Sequence, residues 1–444
     1  MRLRYLLLLL LALICWAAIF LLKNPYPGRY SNPEKKAVYI RYHDGKYTLF
    51  RFGKPFFVNG AAGTTHLAEL KLAGGNTIRT WDTLGLDKIL ADAEKNNIAV
   101  VAGLPMPYNE DMDAFYNNDA KVQAQFERYR KLIIKYRGRR GILCWCLGNE
   151  LSYPLKPKFF KFYKVFNRLV DMIHREDPDH PVTTTLVNFQ EKYIVNIKLW
   201  TRIDFISFNI FGAIRTISAD LQKFHRLWSG PYMITEWGIE GPWEGTNQTA
   251  WSAFIEPTSD KKAEQYRELY ERYMPVKDPG FLGSMAFYWG YKQETTPTWF
   301  SLFDKAGNKS ASVNVMQYLW TGRWPAQQAP GVKYMLVDKK GAADNLLYNP
   351  DSIINAQVFL KDTTSKANLR FDWFVQPEDW FKLKHFYNLK EKQSLDELTV
   401  SENKDHFSFH APKREGPYRV YVYIYNNKGY FATCNTPFYV VGAK

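Results

Sequence analysis

Hydrophobic residues along this chain gather into short runs, and between the runs they recur at alternating spacings of three and four. A hairpin pattern, AVYIRYHDGKYTLFRFGKP, comes first, and eight apolar runs follow it. They are FFVNGA from Phe56, NTIRTW from Asn76, IAVVAGL from Ile98, ILCWCLGNE from Ile142, PVTTTL from Pro181, DFISFNI from Asp204, YMITEWG from Tyr232 and GSMAFYWG from Gly283. Runs of this length read as strands, and the segments between them read as helices. DAKVQAQFERYRKLIIKY places Val122, Phe126, Tyr129, Ile133 and Tyr136 on one face, and PKFFKFYKVFNRLVDMIHRED does the same with Phe159, Tyr163, Phe166, Val170 and Ile173.

Eight strand and helix units over roughly 275 residues match a parallel barrel ringed by helices, whose typical size is about 250 residues. The doubly wound open sheet is the structural alternative, and its usual function needs a glycine-rich phosphate turn after an early strand. NGAAGTTHL imitates that turn weakly and has no acidic residue well placed behind it. The expected fold class is therefore α/β, a (β/α)8 TIM barrel over residues 36–325 with the hairpin at its start. From about Pro330 the texture changes. WPAQQAPG reads as a linker, and INAQVFL, LRFDWFV, YRVYVYIY and FYVV carry the alternating, aromatic character of strands. A small β-sandwich of immunoglobulin type is expected over residues 331–444, packing as an accessory domain.

The N-terminus bears on the compartment. Arg2 and Arg4 precede YLLLLLLALICWAAIFLL, an uncharged stretch ending before Lys23 and about the length of a membrane-crossing helix. No small-x-small cleavage signal follows; KNPYPGRYSNPEKK is a polar, proline-containing linker. Bulky Leu13 and Ile14 before Cys15 do not fit a lipoprotein site. The expectation is an uncleaved signal anchor over residues 1–23, a linker over 24–35, and export of the remainder to the periplasmic or extracellular side, because positive charge retains the short N-terminus in the cytoplasm.

Composition narrows the function classes. Hydrophobic residues make up 46% and aromatics 16% of 444 residues, ample material for a packed core, so disorder is not the expectation. The net charge of +15 would suit anionic lipid, acidic polysaccharide or nucleic acid. No basic stripe with interleaved aromatics accompanies it, so the charge reads as a solvated surface and no nucleic-acid partner is expected. The eight histidines lack ligand spacing, so no metal or cofactor is expected. A serine triad would need a G-x-S-x-G elbow, which is missing. Cys144 and Cys146 lie two apart on a strand and point the same way, which makes poor disulfide partners; with distant Cys434 they read as buried thiols.

Catalytic groups of a barrel stand at the C-terminal ends of its strands. That filter selects Arg79, Thr80 and Trp81 on strand two, Asn149 and Glu150 on strand four, Asn209 on strand six, Glu236 and Trp237 on strand seven, and Trp289 on strand eight. Two carboxylates among aromatic rings suit cleavage of a glycosidic bond, which needs a proton for the departing oxygen and negative charge beneath the anomeric carbon. Tryptophan faces offer a platform to a sugar ring, and polar side chains address its hydroxyls. Arg79 is assigned to the site rather than to an ion pair with Asp82. Asp204, at the opposite end of its strand, reads as a cap or surface charge, and Glu240 and Glu244 read as solvated rim charges. Trp243 and Trp251, in the loop GIEGPWEGTNQTAWSAF, either bind further sugars or pack the loop. The sequons at Asn247 and Asn308 matter only in a host that glycosylates exported proteins.

With NTIRTW after strand two, LGNE after strand four and ITEWG after strand seven, the chain resembles the catalytic barrels of the retaining glycoside hydrolases of clan A, and within them the TIM-barrel domain of glycoside hydrolase family 2. The resemblance covers about residues 36–325. It implies that Glu150 is the general acid/base and Glu236 the nucleophile, that Asn149 binds the 2-hydroxyl, that Arg79 holds the nucleophile ionised, and that Trp289 floors the subsite. One departure stands out. Related enzymes place an aromatic hydroxyl after strand six to bond the nucleophile, whereas SFNIFG offers Asn209 and Phe211; Tyr291 and Tyr108 are the candidate replacements. The function expected is a retaining β-glycosidase acting on oligo- or polysaccharides by double displacement. The alternatives are a membrane-tethered transglycosylase and a catalytically silent carbohydrate-binding protein.

Overall fold

A computed structural model describes residues 2–23, 36–107, 111–362, 366–378 and 392–442. Contacts divide the chain into two compact units, the first made of residues 1–71, 75–237 and 273–286, the second of residues 72–74, 238–272 and 287–444. Helix α1 (Arg2–Lys23) forms over the apolar N-terminus, and the described side chains from Leu7 to Cys15 are exposed. Among the described residues, no helix is long and apolar enough to cross a membrane. The span expected over residues 5–22 is thus not carried by the described residues, since the second half of that apolar run has side chains outside the description.

The first unit begins with strands β1 (Val38–His43) and β2 (Lys46–Arg51), continued by the short β3 (Lys54–Pro55). Asp44 and Gly45 turn the hairpin with φ of 50° and 76°, as a two-residue turn between right-twisted strands requires. The eight expected runs then appear in order as β4 (Val58–Ala62), β5 (Thr77–Arg79), β6 (Ala99–Leu104), β7 (Ile142–Leu147), β8 (Val182–Val187), β9 (Phe205–Asn209), β10 (Tyr232–Trp237) and β11 (Phe281–Phe287). They close into a barrel in which sequence neighbours pair in parallel and β11 returns to β4. Every residue of β6, β7 and β10 is buried, which explains why these strands read as unbroken apolar runs: a barrel strand is covered on both faces.

One apolar cluster joins Val58, Ala99, Val101, Cys144, Cys146, Met233, Leu282 and Met285 of the barrel to Val38, Tyr47 and Leu49 of the hairpin. The hairpin is tied there by backbone bonds from Val38 N to Asp179 O and from Tyr47 N to Pro279 O, just before β8 and β11. It therefore closes the N-terminal end of the barrel and leaves the C-terminal end as the mouth. The cysteines are free thiols, as expected.

Helices α2 (Leu67–Leu72), α3 (Leu86–Lys95), α4 (Asp111–Tyr116), α5 (Asp119–Tyr136), α6 (Phe160–Glu176), α7 (Glu191–Trp200) and α8 (Ile217–Phe224) lie between the strands. Asn118 caps α5 by accepting from Lys121 N. Two details of helix phase differ from the sequence reading. Gln125 is buried on α5, while Phe126 is half-buried with the Arg168 guanidinium 4.0 Å above its ring. In α6 the helix starts only at Phe160, so Phe162 takes the core place expected for Phe159.

The second unit contains α9 (Ser259–Tyr273) up to Arg272, α10 (Ala311–Thr321) and two four-stranded sheets. One sheet is ordered β12 (Val332–Val337), β14 (Ile353–Leu360), β17 (His406–His410), β16 (Thr399–Asn403); the other β13 (Leu347–Tyr348), β19 (Phe431–Val440), β18 (Gly416–Tyr425), β15 (Arg370–Pro377). Their inner faces share one core that includes Val358, Trp373, Phe409, Val420 and Phe438, so the sandwich expectation holds. A buried polar network lies in the same unit. Glu256 accepts from Lys262, Thr296, Thr298 and Asn435, and Arg419 donates to Glu378, Asn435 and the Phe254 carbonyl.

Candidate active site

Arg79, the last residue of β5, is 1% exposed and organises the barrel mouth. Its Nη1 donates to Glu236 Oε1 at 2.7 Å and to Asn209 Oδ1 at 2.8 Å, and its Nη2 donates to Asn149 Oδ1 at 2.5 Å and Thr185 Oγ1 at 3.3 Å. One planar guanidinium thus ties together strands four to seven of the barrel. A buried cation needs such satisfaction, because desolvation without partners costs several kcal/mol, on the order of 3–5 kcal/mol when a pair is broken. Trp81 Nε1 donates to the same Glu236 oxygen at 2.7 Å, with the Arg79 guanidinium 5.5 Å from the Trp81 ring. Glu236 stands beside Asn209 in the β9–β10 ladder. Two charge-assisted bonds to one oxygen favour the ionised carboxylate.

Glu150 is held differently. The turn after β7 takes a left-handed backbone at Gly148 (φ 83°) and again at Glu150 (φ 55°). A side chain at Gly148 would collide with Leu151, with Cγ at 2.7 Å from the added carbon, so the first of these positions requires glycine. Glu150 has no such freedom, and a non-glycine residue in that region costs on the order of 1–3 kcal/mol. The turn aims its carboxylate at Asn209, whose Nδ2 donates to Glu150 Oε1 at 2.9 Å. Asn209 also donates to Asn149 Oδ1 at 3.2 Å and accepts from Thr235 Oγ1 at 3.0 Å. Asn209 and Arg79 therefore form a bridge from one glutamate to the other. Glu150 accepts from a neutral amide, and Glu236 from a cation together with an indole N–H, so the two carboxyls sit in unlike environments.

Thr185 was not singled out in the sequence, and Cys146 read only as a buried thiol. Cys146 Sγ lies 3.3 Å from Thr185 Oγ1, and burial pushes this thiol up, so it stays neutral beneath the guanidinium. The signal for Thr185 was the run of threonines in PVTTTL, three polar residues in a buried strand that had to find partners.

The remaining expected residues are placed as follows. Trp237 is fully buried at the end of β10. Trp289 belongs to the second unit, where its buried ring packs on Phe303 and Trp320 with centroids 5.1 and 5.8 Å away. Tyr291 is also in the second unit, with Lys305 5.5 Å above its ring. Tyr108 lies outside the described residues. Asp204 is no surface charge: it is 4% exposed, accepting from Val182 N at 2.6 Å and meeting His174 Nε2 at 2.8 Å. Asp82 accepts from Leu84 N, so Arg79 is left to the site. Glu244 accepts from Gly241 N within its own loop, Trp243 is 49% exposed with its ring 5.7 Å from that of Phe300, and Trp251 packs on Tyr439.

The barrel of eight parallel strands thus carries one glutamate just after its fourth strand and another within its seventh. Among solved structures the chain is similar to the β-glucuronidase of Faecalibacterium prausnitzii, at 16% identity with a TM-score of 0.50, over 64% of this chain and 52% of that one. The β-glucuronidase of Bifidobacterium dentium, complexed with coumarin-3-O-glucuronide, matches at 16% and 0.50 over 65% and 50%, and that of Lactobacillus rhamnosus at 15% and 0.50 over 64% and 52%. The chain spans about half the length of these proteins. At this identity the likeness is one of fold. No protein-family profile matches the chain, and no curated protein does.

Proposed function

We propose that this protein is a retaining β-glycosidase that cleaves O-glycosidic bonds of oligo- or polysaccharides by double displacement. The observation that carries the reading is the Arg79 and Trp81 pair of donors on one oxygen of Glu236, set against a neutral amide on Glu150. Glu236, ionised, attacks the anomeric carbon while Glu150, protonated, gives its proton to the leaving oxygen; Glu150 then draws a proton from water, which releases the sugar. Trp81 Nε1 takes the place of the aromatic hydroxyl that related barrels supply after strand six. Asn149 is positioned by Arg79 to meet the 2-hydroxyl of the bound sugar. Retention calls for the two carboxyl groups to stand about 5 to 5.5 Å apart.

Membrane attachment through α1, with the barrel exported, is part of this reading and rests on the sequence of residues 5–22 and the basic residues before it. Alkaline carbonate washing should leave the full chain in the membrane fraction; release as a soluble protein refutes attachment. The activity is tested with a panel of aryl β-glycosides, including glucoside, galactoside, mannoside and glucuronide. Wild-type protein should release the phenol from at least one of them, and Glu236→Gln from none. Equal release by both proteins removes Glu236 from the chemistry.

A further inference from the structure

At the closed end of the barrel, remote from the mouth, lies a cavity of about 340 Å³ lined by Arg51, Phe52, Glu94, Asn97, Gly138, Arg139 and Arg140. Arg51 ends β2, Asn97 and Arg140 come just before β6 and β7, and Glu94 is in the last turn of α3, so every lining residue belongs to the N-terminal side of the strands. Three guanidinium groups share this space with one carboxylate, and that carboxylate is already committed. Arg139 grips Glu94 through two bonds, Nε to Oε1 at 3.0 Å and Nη2 to Oε2 at 2.8 Å, and Gly141 N adds a third at 3.1 Å.

Arg51 and Arg140 are left without a carboxylate among the described residues. They are nonetheless drawn together. Arg51 Nη2 donates to the Arg140 carbonyl at 2.8 Å, and the two guanidiniums lie 5.1 and 4.8 Å from the ring of Phe52. Phe52 itself is left-handed, with φ of 51°. Arg51 Nε is buried with no hydrogen-bond partner. Burial, and after it the charge of Arg140, both push the Arg51 guanidinium below its ordinary value, as removal from water beside a second cation does. Two planar forks around a cavity of this size are matched to a tetrahedral oxyanion, which accepts several N–H bonds at once and cancels the repulsion. Aromatic faces beneath the forks restrict them without offering an acceptor.

We infer that this cavity is an anion site for a phosphate group, held by Arg51 and Arg140 at the end of the barrel opposite the proposed catalytic glutamates. Two sources share that chemistry, free inorganic phosphate and the phosphodiester of a lipid headgroup. The test uses the full-length protein in uncharged detergent at low salt, titrated calorimetrically with inorganic phosphate and, separately, with glycerophosphoglycerol, the headgroup of phosphatidylglycerol freed of its acyl chains. At least one should bind with a stoichiometry of one. Arg140→Gln, an exposed position, should weaken it at least tenfold with the urea midpoint unchanged, and Arg51→Lys, which keeps the charge and loses the fork, should also weaken it. Binding of phosphate alone assigns the site to the free ion, and binding of the diester assigns it to a headgroup. If neither binds, or if both variants bind as tightly as wild type, the inference is wrong.

Discussion

Replacing Arg79 with methionine probes the proposed site at its centre. The substitution keeps much of the side-chain volume and deletes four hydrogen bonds, to Glu236, Asn209, Asn149 and Thr185. At the observed 2.7 Å and an effective dielectric of about 20, the gross attraction to Glu236 is about 6 kcal/mol, much of it offset by the desolvation of both groups. What the variant exposes is the net cost of leaving a carboxylate that is 5% exposed without its cation, about 3–5 kcal/mol. Chemical and thermal unfolding should register that loss, the latter as a drop of about 6–20 °C in midpoint. If the same interaction is needed at the transition state, kcat/KM falls by about 150- to 5,000-fold. The acid limb of the pH–rate profile should move to higher pH, because Glu236 then loses the partner that favours its charged form. Arg79→Lys, a point charge in place of a fork, should fall between the two. An Arg79→Met protein with wild-type stability and an unmoved acid limb would refute the role given to this residue.

Glu150→Ala should lose about a hundredfold to ten-thousandfold on a glycoside with a poor leaving group, and far less in the first step on one with an acidic phenol, where burst kinetics will show the intermediate stalling; equal losses on both substrates count against the acid/base role. Trp81→Phe keeps the ring and removes the Nε1 donor to Glu236, a bond to a charged group worth about 1.5–3 kcal/mol, so kcat/KM should fall by roughly ten- to 150-fold, and an unchanged value would show that the bond does not matter. Glu94 is held below its usual value chiefly by the Arg139 hydrogen bond. Since the folded value lies below the unfolded one, this stabilisation is complete above the unfolded pKa and is lost as pH falls through the folded one. The gap in urea midpoint between wild type and Glu94→Gln should therefore narrow on acidification through the carboxylate range; a gap that widens there reverses the sign.

The barrel was legible because its strands are covered on both faces, so β6, β7 and β10 stand out as unbroken apolar runs bounded by polar ends. Once the strands are counted, their C-terminal ends follow, and Arg79, Asn149, Glu150, Asn209 and Glu236 do meet through side-chain hydrogen bonds at one mouth. Helix phase was less legible. Periodicity alone does not say where α6 begins, and its start at Phe160 shifts the core from Phe159 to Phe162. Least legible were bonds between residues far apart in the chain. Trp81 read as a sugar platform, and only the fold brings its Nε1 to an oxygen 155 positions away. The network of Glu256, Lys262 and Arg419 likewise leaves no mark in local patterning, because each member looks like an ordinary surface charge until its distant partners are in place.

The claim on which the account depends is that Glu236 attacks carbon, which makes the first product retain its configuration. Proton NMR of a β-glycoside that the protein cleaves, recorded within minutes of mixing and before mutarotation, resolves the two anomers of the released sugar. Double displacement predicts the β anomer first, with the α anomer growing in later by mutarotation. If the α anomer appears first, water has attacked directly, Glu236 is a base rather than a nucleophile, and the proposed mechanism fails even if both glutamates prove essential.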